Sequence, residues 1–135
     1  AFALGGIDAA RVQNATVAAQ GVYSIRIRDN SGAPSSISTK TAMNLSAYSR
    51  MKVDYKYYTA SVEAGESFLV EVLNGTQWDY VDRIVPTTNG QHLSGTSFVN
   101  LNLLSNKSAV KVRFRADASD DSDAVYLDNI VVSAK

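Results

Sequence analysis

Apolar and polar residues alternate with a period of two along most of this chain. A β-strand places successive side chains on opposite faces, so the alternation predicts strands that are buried on one side. The clearest runs are residues 22–28, 50–58, 67–73, 109–115 and 125–132, and weaker ones are 10–14, 36–40, 80–84 and 98–103. No segment shows the 3.6-residue repeat of apolar positions that an amphipathic helix requires.

Turn-forming residues separate these runs. Asn74-Gly75 tolerates the positive φ angles of a tight hairpin, so residues 73–78 predict a β-hairpin. About nine short strands without helices favour an all-β fold, a two-sheet antiparallel β-sandwich of the jelly-roll kind. The 135 residues suit one domain. The chain begins at Ala1 without a methionine, so we expect residues 1–135 to be a single β-sandwich accessory domain excised from a larger secreted protein.

The composition excludes several classes of function. The chain has no cysteine, which excludes disulfides, thiolate metal sites and cysteine nucleophiles. Its 13 basic and 13 acidic side chains cancel, so no net field attracts nucleic acid, and its apolar runs fall far short of the roughly 20 residues that span a bilayer. His92 is the only histidine and lies in a polar loop without a nucleophile motif. We therefore expect a binding domain, not an enzyme, with no nucleic-acid partner and no membrane insertion.

Three predicted strands carry cations on the side opposite their apolar residues. Together in one sheet, these cations would form a basic face that binds an anionic glycan through charge-assisted hydrogen bonds. The alternative is that Glu71 and Asp54 pair with them across strands. The candidate ligand-binding cations are Arg26, Arg28, Lys52, Lys56, Arg113 and Arg115.

Aromatic side chains could add a stacking platform, because a pyranose ring presents an apolar C–H face to a flat π surface. Trp78 follows the predicted hairpin turn, and Tyr58 shares a strand face with Lys52 and Lys56. These two are therefore the aromatic ligand candidates. Packing in the core is the alternative for them and for Tyr55, Tyr57 and Tyr80.

The densest local signal is acidic, with four aspartates in residues 117–123. Calcium takes six to eight oxygen ligands, which such a loop can supply, although the spacing does not fit an EF-hand and a solvated turn is the alternative. Asp128 interrupts the apolar run 125–132, where its carboxylate requires calcium, Arg11 or backbone donors as a partner. Polar residues occupy both parities of that run, so we expect one of them to face the core.

Five segments occur in a characteristic order: GVYSIRIRDNSG (21–32), MNLSAYS (43–49), SVEAGESF (61–68), VRFRADAS (112–119) and DAVYLDNI (123–130). The order resembles jelly-roll accessory domains of secreted bacterial polysaccharide-degrading enzymes and proteases, which are similar to carbohydrate-binding modules and MAM-like adhesion domains. In those families the aspartate of the closing strand often holds a structural calcium with an acidic residue near the N-terminus. The resemblance thus implies Asp128 and Asp8 as metal ligands, followed by Asp29 and Asp117.

The resemblance also implies a function. It predicts a non-catalytic module that targets a parent enzyme to a polysaccharide, as a secreted, extracellular monomer covalently joined to other domains. The alternative is a structural or adhesion domain of a secreted protease or cell-surface protein, because the same fold serves both purposes.

Overall fold

The structure is a computed structural model that describes residues 2–6, 8–28, 35–117 and 123–135. The strands are β1 (Phe2–Gly5), β2 (Ala10–Gln13), β3 (Tyr23–Arg28), β4 (Ser36–Thr39), β5 (Arg50–Ala60), β6 (Ser67–Asn74), β7 (Gln77–Ile84), β8 (His92–Asn100), β9 (Val112–Asp117) and β10 (Ala124–Ala134). Each clear alternating run coincides at least in part with a strand. The predicted all-β class is confirmed.

The strands form two antiparallel sheets of five strands each, so the predicted two-sheet sandwich is also confirmed. Sheet I has the order β1-β4-β9-β6-β7, and sheet II has the order β2-β3-β10-β5-β8. The hairpin predicted at residues 73–78 joins β6 to β7, with Asn74 opposite Gln77 and Gly75 at a φ of 67°. Within the described residues, no helix has the length and apolarity needed to cross a membrane.

Aromatic side chains from both sheets meet in the core. The ring of Tyr55 in β5 packs edge-on against Phe114 in β9, with centroids 5.1 Å apart. Tyr57 packs in the same manner against Phe68 in β6, also at 5.1 Å. Burying a large apolar side chain stabilises a fold by about 1.5–3 kcal/mol, and edge-to-face pairs add to this. These contacts therefore hold the two sheets together, and they assign Tyr55 and Tyr57 to the core.

A β-bulge decides which residues of β10 face the core. Asp128 pairs with Lys56 and Val131 pairs with Asp54, so β10 has one more residue than β5 over this stretch. Asn129 lies in the bulge with a φ of 52°, a left-handed conformation that asparagine tolerates better than most residues. The apolar residues that face the core on either side of the bulge are Val125, Leu127, Ile130 and Val132. The expectation of an inward polar residue is therefore wrong, because the bulge switches the parity of the strand.

The N-terminal strand β1 and the first half of β8 are not indicated by the alternation. β8 starts at His92, well before the predicted residue 98, and pairs with β5 along its whole length. Its small residues carry a weak strand signal, yet Gly95 is required there because a side chain would overlap the Tyr55 ring. The strand stops at Asn100, whose Oδ1 accepts a hydrogen bond of 3.1 Å from the backbone of Asn102 and starts a single 3-10 turn.

Candidate functional site

The candidate ligand-binding residues lie on two opposite surfaces of the sandwich. The outer face of sheet II carries Arg26, Arg28, Lys52, Lys56 and Tyr58, and the outer face of sheet I carries Trp78, Arg113 and Arg115. They do not form one basic face, because β9 belongs to a different sheet from β3 and β5.

On sheet I, a carboxylate of the same sheet binds the two arginines. Oε1 of Glu71 lies 3.0 Å from Nη2 of Arg113 and 3.0 Å from Nε of Arg115, and its side chain is only 7% exposed. The Arg113 guanidinium also stacks on Trp78, 4.5 Å from the ring centroid. The cross-strand pairing that the sequence allowed as an alternative is therefore present. It occupies both arginines and one face of Trp78.

On sheet II, the connection between β2 and β3 (residues 14–22, here called the strap) crosses the outer face. The carbonyl oxygen of Thr16 accepts a hydrogen bond of 2.9 Å from Nε2 of His92, on the edge strand β8. Further along, the backbone N–H of Gln20 donates to Oδ2 of Asp128 in β10 at 2.9 Å. The strap is therefore fixed to two different strands of the sheet below it.

The strap divides this outer face into a covered half and an open half. Residues 17–18 of the strap are buried. In the covered half, Tyr58 packs between His92 and Tyr126, with ring centroids 5.1 and 6.2 Å apart. The candidate residues in this half are Tyr58, Arg26 and Arg28, and all three are half-buried. They are less accessible to a polymer than the sequence pattern indicated.

The other half, here called the open face, lies beyond the strap. It is formed by Lys52, Asp54 and Lys56 of β5, Ser94, Thr96 and Phe98 of β8, and Asn129, Val131 and Ser133 of β10. Two neighbouring clefts lie along it, with volumes of about 320 and 430 Å³. These volumes fall at the lower end of the range for small-molecule sites. A chain of sugar residues could thus lie along β5 with contacts to both flanking strands.

Asp54 organises the polar groups of the open face. Oγ1 of Thr96 donates a hydrogen bond of 2.7 Å to Oδ1 of Asp54, and Nζ of Lys52 lies 3.3 Å from Oδ2. The hydrogen bond from Thr96, and to a smaller extent Lys52, lowers the pKa of Asp54 below its ordinary value. The carboxylate therefore stays ionised at neutral pH. Thr96, Asp54 and Lys52 form a polar row in which a carboxylate acceptor lies between a hydroxyl group and an ammonium donor.

Phe98 is the aromatic residue of the open face, and its side chain is 69% exposed. Phe98 was not among the predicted ligand-binding residues, although the adjacent pair Phe98-Val99 carried a signal. Only one of two neighbouring residues in a strand can face the core, and Val99 takes that side with 8% exposure. Phe98 consequently projects beside Lys52, its neighbour across the strands.

The metal candidates do not come together among the described residues. Asp117 is exposed at the end of β9 in sheet I, and Asp8 is buried between β1 and β2. Asp128 lies in sheet II, where Oδ2 and Oδ1 accept backbone N–H groups, as one of the sequence alternatives proposed. Asp29 and residues 118–122 lie outside the described residues. In the part of the chain that is described, no three acidic, histidine or cysteine side chains gather, and calcium binding stays a prediction.

No protein-family model matches this chain, and no curated protein sequence matches it. Solved structures do match. TmCBM61, determined in complex with β-1,4-galactotriose, has a TM-score of 0.69 and 14% identity, and the match covers 99% of this chain and 88% of that one. The CBM22-1 xylan-binding domain of Xyn10C from Paenibacillus barcinonensis has a TM-score of 0.62 and 11% identity, covering 98% and 85%.

A cyclase from Fischerella sp. TAU, in complex with 4-(1H-indol-3-yl)butan-2-one, also matches, with a TM-score of 0.67, 8% identity and coverage of 99% and 84%. At these identities the likeness is one of fold. The resemblance to jelly-roll carbohydrate-binding modules is confirmed at that level. Since the same fold also serves a cyclase, the function has to be argued from the surface of this chain.

Proposed function

We propose that this chain is a non-catalytic carbohydrate-binding module that binds a polysaccharide on the open face of sheet II. The observation that carries the proposal is the exposed Phe98 ring beside the ordered polar row of Thr96, Asp54 and Lys52. The ring offers a flat apolar surface to the C–H face of a sugar, and the polar row offers hydrogen bonds to its hydroxyl groups. This pairing of contacts distinguishes sugars from purely apolar ligands.

The charge of the open face favours an acidic polysaccharide. Lys52 and Lys56 are exposed on it, and Arg50 and Lys135 line the larger of its two clefts, beside Phe98. Ammonium and guanidinium groups bind carboxylates through charge-assisted hydrogen bonds, which are roughly twice as strong as neutral ones. A polymer with carboxylate groups would therefore bind more tightly than its neutral counterpart, and this preference would weaken at high salt.

The proposed role is that of an accessory domain in a larger secreted protein. A module that holds its parent on a polymer raises the effective concentration of the substrate, and it can do so as an extracellular monomer. The fold shared with TmCBM61 and the xylan-binding domain supports this role. His92 and Glu71 both make structural contacts, His92 with the strap and Glu71 with Arg113 and Arg115.

The test is a binding assay on a panel of soluble polysaccharides that includes β-1,4-galactan and polygalacturonate. Phe98→Ala should weaken binding at least tenfold, and Lys56→Gln should weaken binding of the acidic polymer more than that of the neutral one. Trp78→Ala removes the aromatic ring from the opposite surface and Lys40→Gln removes an exposed cation outside both clefts. These two controls should leave affinity unchanged.

Two results would overturn the proposal. One is a wild-type domain that binds no member of the panel. The other is a Phe98→Ala domain that is folded by circular dichroism and binds as the wild type does. Loss of binding in Trp78→Ala alone would move the site to sheet I.

A further inference from the structure

A cleft of about 470 Å³ opens at one side of the sandwich, where β1 of sheet I faces β2, β3 and β10 of sheet II. We call it the edge cleft, and its main lining residues are Phe2, Leu4, Arg11, Tyr23, Asp128 and Asn129. It exists because β3 pairs with β10 only over residues 124–127, while β10 continues to Ala134. Among the described strands, none therefore lies beside the second half of β10 on that side, and the space between the sheets is accessible.

Arg11 and Tyr23 give this cleft a polar wall with a fixed geometry. The Arg11 guanidinium carbon lies 3.9 Å from the centroid of the Tyr23 ring, and both side chains are exposed. Among the described residues, no carboxylate lies within ion-pair distance of Arg11. A stacked guanidinium keeps its N–H edge available, so Arg11 can donate two parallel hydrogen bonds to a ligand.

The remaining walls complement these donors. Phe2 and Leu4 supply apolar surface, and Leu4 is 51% exposed. Asp128 and Asn129 supply oxygen acceptors and an amide on the opposite side. Each oxygen of Asp128 accepts one backbone N–H and retains a lone pair for a further donor. Since Arg11 and Asp128 carry opposite charges, the cleft suits a ligand with hydroxyl groups on an apolar ring more than a free anion.

Asn129 connects this cleft to the open face, because it lines clefts on both sides of β10. The bulge that holds Asn129 at a positive φ is thus the crossing point between the two surfaces. A linear glycan on the open face can continue over β10 at this residue, where no strand of the described ranges stands in its path.

We infer that the edge cleft is an additional sugar subsite, in which Arg11 and Tyr23 bind a hexose unit of a chain whose preceding units lie on the open face. This inference rests on the proposed function. It implies that the affinity for oligosaccharides rises with chain length until the edge cleft is filled. Arg11 and Tyr23 then contribute only to the binding of the longer chains.

The experiment measures Kd for two graded oligosaccharide series, one from β-1,4-galactan and one from polygalacturonate, by calorimetry. The wild type should gain affinity with length. Arg11→Gln and Tyr23→Leu should bind short oligomers as the wild type does and bind the longest ones about tenfold more weakly. Lys40→Gln serves as the charge-matched control and should retain the full gain. Thermal unfolding of each variant confirms that it is folded.

The outcomes separate the inference from the proposal on which it rests. If Arg11→Gln keeps the wild-type gain with length, the edge cleft is not a subsite, although binding on the open face stands. If the wild type shows no gain with length, the conclusion is the same. If the wild type binds neither series at any length, both the proposed function and the subsite are overturned.

Discussion

The backbone N–H of Gln20 donates a 2.9 Å hydrogen bond to Oδ2 of Asp128, although 108 residues separate the two in sequence. Oδ1 of the same carboxylate accepts from the backbone N–H of Asn129 at 2.7 Å. One side chain therefore fixes both the end of the strap and the bulge of β10. The residue that the sequence singled out as a metal ligand has an observed role in ordering backbone.

Replacing Asp128 with alanine should loosen the strap. The loss of two charge-assisted hydrogen bonds is expected to lower the free energy of unfolding by about 2 kcal/mol. Backbone amides of residues 16–20 should exchange with deuterium faster, because their anchor to β10 is gone. Ser133→Ala, on the same strand and outward-facing, is the control. Unchanged exchange in residues 16–20 would show that the hydrogen bond from His92 and the burial of residues 17–18 suffice to hold the strap.

Glu71→Gln should destabilise the domain, although Glu71 lies on the outer face of sheet I. It removes the charge that binds Arg113 and Arg115 in a nearly buried position, which we expect to cost roughly 2 kcal/mol in chemical denaturation. Asp54→Asn breaks the exposed pair with Lys52 and should destabilise the domain much less than Glu71→Gln.

Fluorescence gives an independent measure of the Glu71 variant, because Trp78 is the only tryptophan in the chain. Release of Arg113 from Glu71 should disturb its stacking on Trp78 and change the emission. Equal stability losses in the Glu71 and Asp54 variants, with unaltered emission, would contradict the structural role assigned to Glu71.

Stability should fall at alkaline pH through Tyr55. Burial raises the pKa of Tyr55 above its ordinary value, and a hydrogen bond with Ser97 only partly offsets this effect. A raised folded-state pKa means that the stabilisation is complete below about pH 10, where unfolded tyrosine is neutral, and is lost as pH rises through the folded value. Urea unfolding across this range should show the decline.

Tyr55→Phe should make that alkaline decline shallower, because phenylalanine cannot ionise in the unfolded chain. At neutral pH the same variant should lose about 1 kcal/mol for the missing hydrogen bond with Ser97. Tyr80→Phe is the control, since Tyr80 is 64% exposed. An alkaline decline that is as steep in Tyr55→Phe as in the wild type would assign the effect to other groups.

Calcium binding remains a prediction from the sequence, and removal of calcium with a chelator tests it directly. If calcium binds only the folded domain and its free concentration is a hundred times its Kd, it raises the free energy of unfolding by about 2.7 kcal/mol. A chelator should therefore lower Tm, and added calcium should restore it. Magnesium, which prefers a smaller octahedral site, should restore it less. Metal analysis of the purified protein distinguishes an absent ion from one too tightly held to remove. A metal-free protein with the same Tm in calcium and in chelator would end the prediction.

The fold was largely predictable because its signal is local. Residues 50–58 alternate strictly, so the strand and its buried side follow from the sequence alone. β10 was predicted as a strand, but an inward polar residue was wrongly expected whichever side faced the core, since a bulge depends on the register with β5 and leaves little trace in the residues themselves. The start of β8 was missed because Ser94 and Gly95 have little intrinsic strand preference and are held by pairing.

The site was less predictable because it depends on which strands become neighbours. Lys52 and Lys56 were identified from parity and lie on the open face, whereas Arg113 was identified by the same argument and lies on the opposite surface against Glu71. Nothing local to Arg11 indicated a cleft. That feature arises only where β3 ends beside β10.

The bulge at Asn129 also has a consequence for how this domain tolerates insertions and deletions. The bulge switches the parity of the strand: the side chains that face the core are at odd-numbered positions before it and at even-numbered positions after it. Deleting that single residue would make the pairing with β5 regular, with Ile130 opposite Tyr55, so Ile130 and Val132 would still face the core and Val131 would still face water. Substitutions along β10 are absorbed one side chain at a time, whereas a one-residue deletion that leaves the bulge in place would turn every following side chain to the opposite face.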